Sequence, residues 1–305
     1  MVHIVYKSLT LVFVIMIGYV VKKVGLFSKE RDFETLSKLI LYITLPSVIV
    51  TNLNGLRFPP SLLILSVFGF ACNWLYIFIS KLFGQDEKEQ GFMALNINGY
   101  NIGNFALPFI VFFLQDSSTV LAISLFDMGN SLMVLGGNYI VAKGIHTNSR
   151  KINLRELLKT FFKAPTVIIY IIMVFLSLAS LNLPNFLADT AEIMGSANTF
   201  LSMFLIGIAL EFNFELGNIK KMLKYLSLRY IPAFILSSIL LLLPFLSIDI
   251  KLALGILLLA PVASSATIFT NLLNEEDVPL SAQVNSLTVM ISLLLMSLLL
   301  IFINT

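Results

Sequence analysis

Long apolar stretches recur along the whole chain, and each is long enough to cross a lipid bilayer as a helix. A hydrocarbon core of about 30 Å needs roughly 20 apolar residues, because each helical residue advances about 1.5 Å. Ten stretches reach this length, at about 4–21, 36–54, 61–80, 91–114, 119–142, 161–180, 187–210, 226–246, 251–273 and 281–303. Numbered 1 to 10 in chain order, these predicted spans indicate an all-α polytopic membrane protein with ten transmembrane helices.

The composition excludes the water-soluble classes of protein. Of the 305 residues, 58% are hydrophobic and 12% are charged, whereas a typical soluble domain is about half apolar and a quarter charged. The same proportions exclude a disordered chain. The single cysteine, Cys72, excludes an internal disulfide and any multi-cysteine metal site. We therefore predict neither a metal nor another cofactor.

Basic side chains concentrate on one side of the predicted bundle. The segments that follow odd-numbered spans contain most of the 20 lysine and arginine residues. We assign to this side the basic residues between spans 7 and 8, namely Lys220, Lys221, Lys224 and Arg229. Because cytoplasmic loops carry the excess of basic residues, both termini are expected outside the cytoplasm of a plasma (inner) membrane. The regular spacing of these charges between apolar spans indicates a lipid bilayer, and not nucleic acid, as the partner.

Two of the spans are interrupted by polar residues and proline. Span 4 contains Asn96, Asn98, Gly99, Asn101, Gly103, Asn104 and Pro108, and span 9 contains Pro261, Ser264, Ser265 and Thr267. Spans 4 and 9 take the same place in spans 1–5 and 6–10, and five is odd. The pattern therefore predicts two inverted five-helix repeats, residues 1–142 and 161–305, joined by a basic cytoplasmic loop at 143–160.

Proline gives a physical reason to expect a polar site at these interruptions. Proline lacks an N–H group and clashes with the preceding turn, so a helix breaks there and exposes backbone donors and acceptors. Paired breaks in two inverted halves are typical of a transporter's binding site. We expect Pro108 and Pro261 to mark two breaks that face each other. Alternatively, each proline merely kinks its helix.

The polar stretch of span 4 resembles a pattern found in a known family of membrane proteins. Residues 101–108 read Asn-Ile-Gly-Asn-Phe-Ala-Leu-Pro, close to the N-x-G-N-x-G-x-P pattern of the auxin efflux carrier family. The sequences Leu45-Pro46, Lys163-Ala164-Pro165 and Ala260-Pro261-Val262-Ala263 also fit that family. The resemblance covers nearly the whole chain. Two departures are Ala106, where the family often has glycine, and Phe200, where it often has proline.

The resemblance implies both a fold and a class of substrate. Helices 4 and 9 would be broken and crossed, helices 1, 2, 6 and 7 would form a scaffold, and helices 3–5 and 8–10 would form a mobile core. Bacterial members are described as permeases for malate, malonate and similar organic anions. The wider group includes bile acid/sodium symporters. The resemblance is also compatible with a homodimer.

Asp127 is the acidic residue that we expect deepest in a span. An ionised aspartate at a helix centre costs about 2.5–3.5 kcal/mol on insertion scales, so such a group usually pairs, takes up a proton or faces water. This position suits a proton carrier. Alternatively, a protonated Asp127 is a structural group, hydrogen-bonded to Asn130 or to the break in span 4.

Neutral donors beside the breaks are the candidate substrate ligands. No lysine or arginine is predicted deep in a span, so amide and hydroxyl groups would bind a carboxylate and release it again. These side chains could instead cap the broken helices. The predicted substrate-binding residues are Asn101, Gly103, Asn104, Pro108, Asn130, Pro261, Ser264, Ser265 and Thr267.

These features favour one function over three others. The expected function is a secondary-active permease for small organic anions that works by alternating access, with Asp127 as a possible proton carrier. A sodium-coupled symporter for organic anions or bile acids is the main alternative, although span 9 has no acidic residue beside its break. An intramembrane enzyme or a channel is less favoured, because one deep aspartate offers neither a catalytic pair nor a metal site.

Overall fold

The computed structural model describes residues 2–28, 32–57, 59–114, 117–147, 162, 164–210, 216–244 and 246–303. Within these ranges every regular element is helical, as the sequence predicts. Most of the predicted loop at 143–160 lies outside the described residues. So do several of the basic residues assigned to the cytoplasmic side, namely Lys29, Arg31, Arg150, Lys151, Arg155, Lys159 and Lys163.

The first half of the chain contains eight α-helices within the described ranges. They are α1 (Val2–Lys23), α2 (Asp32–Leu39), α3 (Leu45–Leu53), α4 (Ile64–Phe83), α5 (Glu87–Asn96), α6 (Leu107–Phe113), α7 (Ser117–Leu132) and α8 (Asn138–His146). Three π-helical turns join consecutive helices, at Ile40–Thr44, Ile102–Ala106 and Met133–Gly137. Short 3-10 turns lie at Pro60–Leu63 and, in the second half, at Leu216–Asn218 and Glu275–Asp277.

The described part of the second half contains seven α-helices. They are α9 (Pro165–Leu178), α10 (Asn185–Ser196), α11 (Asn198–Ala209), α12 (Ile219–Leu242), α13 (Ile248–Leu258), α14 (Ser265–Leu273) and α15 (Val278–Ile303). Predicted span 7 is divided at Ala197 into α10 and α11, although Phe200 stands where the resembling family often has proline. Every predicted span therefore contains at least one helix.

Six helical segments among the described residues are long and apolar enough to cross a membrane. They are Asp32–Leu53, Pro60–Phe83, Ser118–His146, Asn185–Ala209, Ile219–Leu242 and Glu275–Phe302. Two further apolar helices, Ile102–Phe113 and Pro165–Leu178, are shorter. Predicted spans 4 and 9 are not continuous helices, because each is divided by a non-helical stretch.

Large apolar side chains cover the outer surface of the bundle. Phe13 on α1, Phe78 on α4, Phe175 on α9 and Phe302 on α15 are 66%, 63%, 65% and 79% exposed. Extended apolar surfaces on a folded protein mark contact with a membrane or a partner. Their presence on four separate helices, together with the span lengths, indicates contact with lipid around the bundle.

Two pairs of glycines allow two pairs of helices to cross closely. Gly18 on α1 faces Gly207 on α11, and a methyl group added to either would overlap the backbone of the other helix. Gly69 on α4 and Gly129 on α7 have the same relationship. Small residues at a helix crossing let the two backbones approach, which favours association inside a bilayer.

The helices form two groups that meet at the centre. In one group, α1 contacts α11, and α3 contacts both α9 and α10. In the other group, α4 contacts α7, α5 contacts α8, α12 contacts α13, and α14 contacts α15. Helices α3 and α9 also contact α7, and α11 contacts α6. The broken segments therefore lie where the two groups meet.

An ion pair fixes the start of α5 against α12. The side chain of Asp86 caps α5 by accepting a hydrogen bond from the Glu89 N–H at 2.7 Å. The Glu89 carboxylate accepts from Lys224 Nζ at 2.9 Å and from the Tyr225 hydroxyl at 3.1 Å. Burial alone would raise the pKa of Glu89, but the backbone N–H of Gln85, Lys224 and Tyr225 outweigh it and lower this pKa. The pair holds the first half of the broken segment in place.

Candidate functional site

The two polar segments each contain a break in the helix. The chain leaves helical geometry between Asn96 and Ile102 in the first segment, and between Leu258 and Ser265 in the second. Pro261 lies within the second break, as predicted. The prediction that Pro108 marks the first break is wrong. Pro108 lies beyond the break, after the π-helical turn Ile102–Ala106 and inside the helical segment Ile102–Phe113.

The two breaks contact each other directly. The Asn101 N–H donates to the Pro261 carbonyl oxygen at 2.9 Å. The Asn101 side-chain amide donates to Ser264 Oγ, also at 2.9 Å. The expectation that the two interrupted segments face each other is therefore confirmed at the level of individual hydrogen bonds.

Asparagine side chains from α4, α7 and α8 complete the first break. Asn130 on α7 accepts from the Tyr100 N–H at 3.1 Å and donates to the Tyr100 carbonyl at 3.0 Å. It also accepts from Asn73 on α4 at 3.2 Å. Asn98 donates to Asn138 on α8 at 3.0 Å. Side chains thus replace the helical hydrogen bonds that the break removes.

Side chains from α15 complete the second break. The amide of Asn285 donates to the carbonyls of Val262 and Ala263 at 3.4 and 3.3 Å. The hydroxyl of Thr288 accepts from the Val262 N–H at 3.4 Å. These side-chain bonds from α15 are longer than the bonds that Asn130 makes around Tyr100.

A buried arginine joins the two breaks on one side. The guanidinium of Arg229, on α12, donates to the Ile97 carbonyl at 3.1 Å and to the Ala260 carbonyl at 2.8 Å. Its centre lies 4.8 and 4.4 Å from the ring centroids of Tyr76 and Tyr100. The side chain is fully buried. A cation–π pair of this kind helps to compensate a buried charge.

Arg229 overturns two sequence-based predictions. It was assigned to the cytoplasmic loop between spans 7 and 8, but it lies inside α12. The expectation that no arginine or lysine lies deep in a span is wrong for the same reason. Hydropathy could not place Arg229, because its partners are carbonyl oxygens that become available only when two distant helices break.

A cavity of about 130 Å³ lies on the other side of the two breaks. A water molecule needs about 10–15 Å³ on this measure, so the cavity is large enough for a small solute. It is lined by Phe33, Ser37, Leu41, Leu45, Tyr100, Asn101, Ile102, Gly103, Asn104, Asp127, Asn130, Ser131, Val134, Leu135, Thr166, Ala263, Ser264, Ser265 and Ile268. The cavity draws on both breaks and on α2, α3, α7 and α9.

Most of the predicted site residues meet at this cavity. Those that line it are Asn101, Gly103, Asn104, Asp127, Asn130, Ser264 and Ser265. Three others do not. Pro108 lines a separate cavity of about 310 Å³ beside α3 and α10. Pro261 contributes its carbonyl to Asn101, and Thr267 accepts a hydrogen bond from Ser281 at 3.1 Å.

The carboxylate of Asp127 is surrounded by donors. Its Oδ1 accepts from Asn130 at 3.1 Å and from Ser131 at 3.4 Å. Its Oδ2 accepts from the Tyr170 hydroxyl of α9 at 2.9 Å. The predicted bond to Asn130 is present. Tyr170 was missed, because an apolar helix with one tyrosine carries no sequence signal for a partner on α7.

The two breaks cross where Asn101 contacts Pro261 and Ser264. The helix ends give the two sides of this crossing opposite electrostatic character. The carbonyls of Ile97 and Ala260, at the ends of α5 and α13, face Arg229. The first residues of the segments Ile102–Phe113 and Ser265–Leu273 line the cavity. Helix amino termini carry partial positive charge and favour anions. The cavity side of the crossing is therefore suited to a negatively charged group.

One amide at the cavity has an oxygen acceptor without a partner. Asn104 is half-buried and lines the cavity, and its Oδ1 atom is buried without a hydrogen-bond partner. Buried polar groups normally find a partner. Within the described residues, no group of three or more histidine, cysteine, aspartate or glutamate side chains comes together to hold a metal ion.

Comparison with known proteins assigns the chain to a family. A family model described as membrane transport protein matches residues 3–302. No curated protein matches the sequence significantly. The match covers nearly the whole chain and agrees with the apolar helices, so the protein is embedded in the membrane and crosses it several times. The chain belongs to the membrane transport protein family of the auxin efflux carriers.

Proposed function

We propose that this protein is a secondary-active permease that carries small organic anions across the plasma membrane by alternating access. The observation that carries the proposal is the contact between two broken helices whose second halves both begin at one cavity. Each half contributes an amino-terminal helix end, which favours an anion. The neutral side chains of Asn101, Asn104 and Ser264 would complete the binding of a carboxylate.

Neutral donors suit a carrier because the substrate must leave as well as bind. Hydrogen bonds to a charged group contribute about 1.5–3 kcal/mol each. Among the lining residues that the structure describes, none is a lysine or arginine. Arg229 is committed to two backbone carbonyls on the far side of the crossing. It would keep the helix ends in place without holding the substrate.

An inverted repeat of two five-span halves is part of the proposal. Contacts between helices support it, because equivalent pairs recur. Spans 1 and 7 meet through α1 and α11, and spans 6 and 2 meet through α9 and α3. Spans 5 and 9 meet through α7 and α13, and spans 10 and 4 through α15 and α5.

A short sequence repeat gives the same correspondence. Asp127-Met128-Gly129-Asn130-Ser131-Leu132 in α7 matches Ala282-Gln283-Val284-Asn285-Ser286-Leu287 in α15. The two asparagines bind the first and the second break respectively. We infer that spans 1, 2, 6 and 7 form a scaffold and that the remaining spans form a core that moves against it, with both chain termini outside the cytoplasm.

We propose that protons, and not sodium ions, drive the transport. Asp127 is the one carboxylate among the described residues that line the cavity, and a substrate carboxylate beside it would favour its protonated form. A sodium site at the breaks would need several oxygen ligands. The carbonyls of Ile97 and Ala260, which are candidates for such ligands, already accept from Arg229.

Counterflow in proteoliposomes tests the proposal. Vesicles loaded with an unlabelled anion are diluted into the labelled one, using malate, malonate, an indole carboxylate and a bile acid in turn. We expect at least one of them to accumulate transiently, with a response to a proton gradient and none to sodium. Absence of counterflow with every anion would reject the assignment.

A matched pair of asparagine variants connects the activity to the cavity. Asn104→Ala removes the side-chain N–H donors that would bind a carboxylate, and we expect about a tenfold loss of apparent affinity, as for one hydrogen bond to a charged ligand. Asn52→Ala is the control, because Asn52 is also half-buried but lines the other cavity beside α3. Equal effects of the two variants would place the substrate elsewhere.

A further inference from the structure

Tyr170 joins two helices that the proposed transport cycle would separate. It lies on α9, only 1% exposed, and its hydroxyl donates to Asp127 Oδ2 at 2.9 Å. Asp127 lies on α7. In the proposed mechanism α9 belongs to the scaffold and α7 to the core, so the inference that follows rests on the proposed function.

The other donors to Asp127 come from its own helix. Asn130 and Ser131 both lie on α7 and bind Oδ1 at 3.1 and 3.4 Å. They would move together with Asp127 if the core moved. Among the donors that the structure describes for this carboxylate, Tyr170 alone comes from another helix, so its bond is the one that a movement of α7 against α9 must break.

The strength of the Tyr170 bond depends on the charge of Asp127. A hydrogen bond to an ionised carboxylate is roughly twice as strong as one between neutral groups. A protonated carboxyl group carries its own hydrogen and loses this charge assistance. The contact between α7 and α9 is therefore strong when Asp127 is ionised and weaker when it holds a proton.

We propose that Tyr170 is a positioning residue that holds the core against the scaffold until Asp127 takes up a proton. With Asp127 ionised, the core keeps its present position, in which Ser37 of α2 and Thr166 of α9 line the cavity, and in the proposed cycle this cavity opens toward the cytoplasm. Protonation of Asp127 weakens the bond and allows the core to move. The device makes movement of the core slow while Asp127 is ionised and faster once Asp127 holds a proton.

In this proposal the proton that controls the Tyr170 bond is the one that Asp127 itself takes up. Among the described residues, Tyr170 from α9 is the titratable group that contacts its carboxylate, and Tyr100 from the first break lines the same cavity. No lysine, arginine or second carboxylate is among the described lining residues. Arg229 lies behind the Tyr100 ring, 4.4 Å from its centroid. A substrate carboxylate in the same cavity would repel ionised Asp127, so substrate entry and proton uptake favour each other.

Accessibility of the cavity from outside the cell tests this role without knowledge of the substrate. Leu135, which lines the cavity, is replaced by cysteine in a Cys72→Ser background that removes the one native cysteine. A membrane-impermeant maleimide is added to right-side-out vesicles at pH 5.5 and 7.5. Rates are corrected for the pH dependence of the maleimide reaction itself.

We expect slow labelling at the higher pH and faster labelling at the lower pH in the otherwise unchanged protein. Tyr170→Phe should label fast at both, with a rise of about tenfold at the higher pH, as for the loss of one hydrogen bond to a charged acceptor. Asp127→Asn mimics the protonated form and should behave in the same way. Tyr230→Phe is the matched control, because the Tyr230 hydroxyl on α12 donates to the Thr288 carbonyl on α15 at 2.8 Å, within the proposed core and away from Asp127, and it should keep the normal pH dependence.

Two results would overturn the role of Tyr170. One is a Tyr170→Phe protein that keeps the normal rate and pH dependence, and the other is labelling without pH dependence in the unchanged cavity. If Tyr170→Phe does not fold, Asp127→Asn decides alone, and a normal pH dependence in it refutes the proposal. Labelling that loses its pH dependence in Tyr170→Phe supports this role even if no tested anion is transported, which separates it from the counterflow test.

Discussion

The two breaks at the centre of the molecule have the same architecture but different chemistry. Each is held by an asparagine, Asn130 on α7 and Asn285 on α15, and the two take the same place in the proposed repeat. Three residues before Asn130 the chain has Asp127, and three residues before Asn285 it has Ala282. Only the first of these two positions can carry a charge.

This difference separates what the two halves contribute. The backbone geometry is shared, because both halves supply a broken helix and an asparagine that satisfies it. The charge is not shared, because the acid and its tyrosine partner belong to the first break. We infer that duplicated halves build the crossing, while one half alone supplies the group that responds to protons.

Removing the arginine that joins the breaks should have the largest effect. Arg229→Met leaves the carbonyls of Ile97 and Ala260 buried without a donor, at a cost of about 1–3 kcal/mol each. We expect a lower midpoint of thermal unfolding in detergent and no counterflow. Arg229→Lys keeps the charge, but lysine lacks the planar fork that reaches both carbonyls. Its unfolding midpoint and counterflow should lie between those of the unchanged protein and those of Arg229→Met. Normal stability of Arg229→Met would show that the breaks do not need a shared partner.

Moving the acid from one break to the other tests whether its position matters. Asp127→Asn should retain counterflow, which needs no net driving force, but lose accumulation driven by a proton gradient. Adding Ala282→Asp to this variant should not restore accumulation, because Tyr170 lies beside the first position. The measurement is uptake with and without an imposed gradient. Restored accumulation in the double variant would make the two breaks interchangeable.

Truncating each asparagine compares how tightly the breaks are held. Asn130 takes part in four hydrogen bonds, to Asn73, both backbone groups of Tyr100 and Asp127, at 3.0–3.2 Å. Asn285 donates two longer ones. We expect Asn130→Ala to cost about 2–3 kcal/mol and Asn285→Ala about 1 kcal/mol. Thermal unfolding of both variants measures the difference, and equal costs would contradict it.

The sequence predicted the helices well because their length and composition are local properties. It also predicted that two polar segments meet, since symmetry between the halves requires it. Of the nine predicted substrate-binding residues, Asn101 and Ser264 even bind each other. The repeat around Asn130 and Asn285 was present in the sequence and could have been found by aligning the halves without their prolines.

The misplaced residues share a physical cause. Pro108 looked like a break, but the helix runs through it from Ile102 to Phe113, and the break comes from the polar residues before it. Arg229 looked like a loop residue because it follows a group of lysines in the sequence. Its burial depends on two tyrosine rings and two carbonyls from distant segments. Local patterns contain no information about such partners.

Backbone variants compare how each break turns the chain. Gly99 has φ of +72°, and a methyl group there would lie 2.9 Å from Val134 Cγ2. Gly99→Ala should therefore cost about 1–2 kcal/mol. Pro261→Ala removes only a restriction on the unfolded chain, worth about 0.4–1 kcal/mol. Gly99→Ala should therefore lower the midpoint of thermal unfolding more than Pro261→Ala does. A larger effect of Pro261→Ala would mean that proline itself forms the second break.

Variants at the starts of α5 and α13, the helices that lead into the two breaks, should differ least in stability. Their difference should depend on the pH. Hydrogen bonds lower the pKa of Glu89 in the folded protein, so its contribution is fully present above the pKa of the unfolded chain and is lost as the pH falls through the lower pKa of the folded protein. Glu89→Gln should lose at most about 1 kcal/mol at pH 7, and the loss should shrink as the pH falls through that lower pKa. Asp249→Asn, at the exposed start of α13, is the control. A loss in Glu89→Gln that persists in acid would mean that the Lys224 contact acts through shape and not through charge.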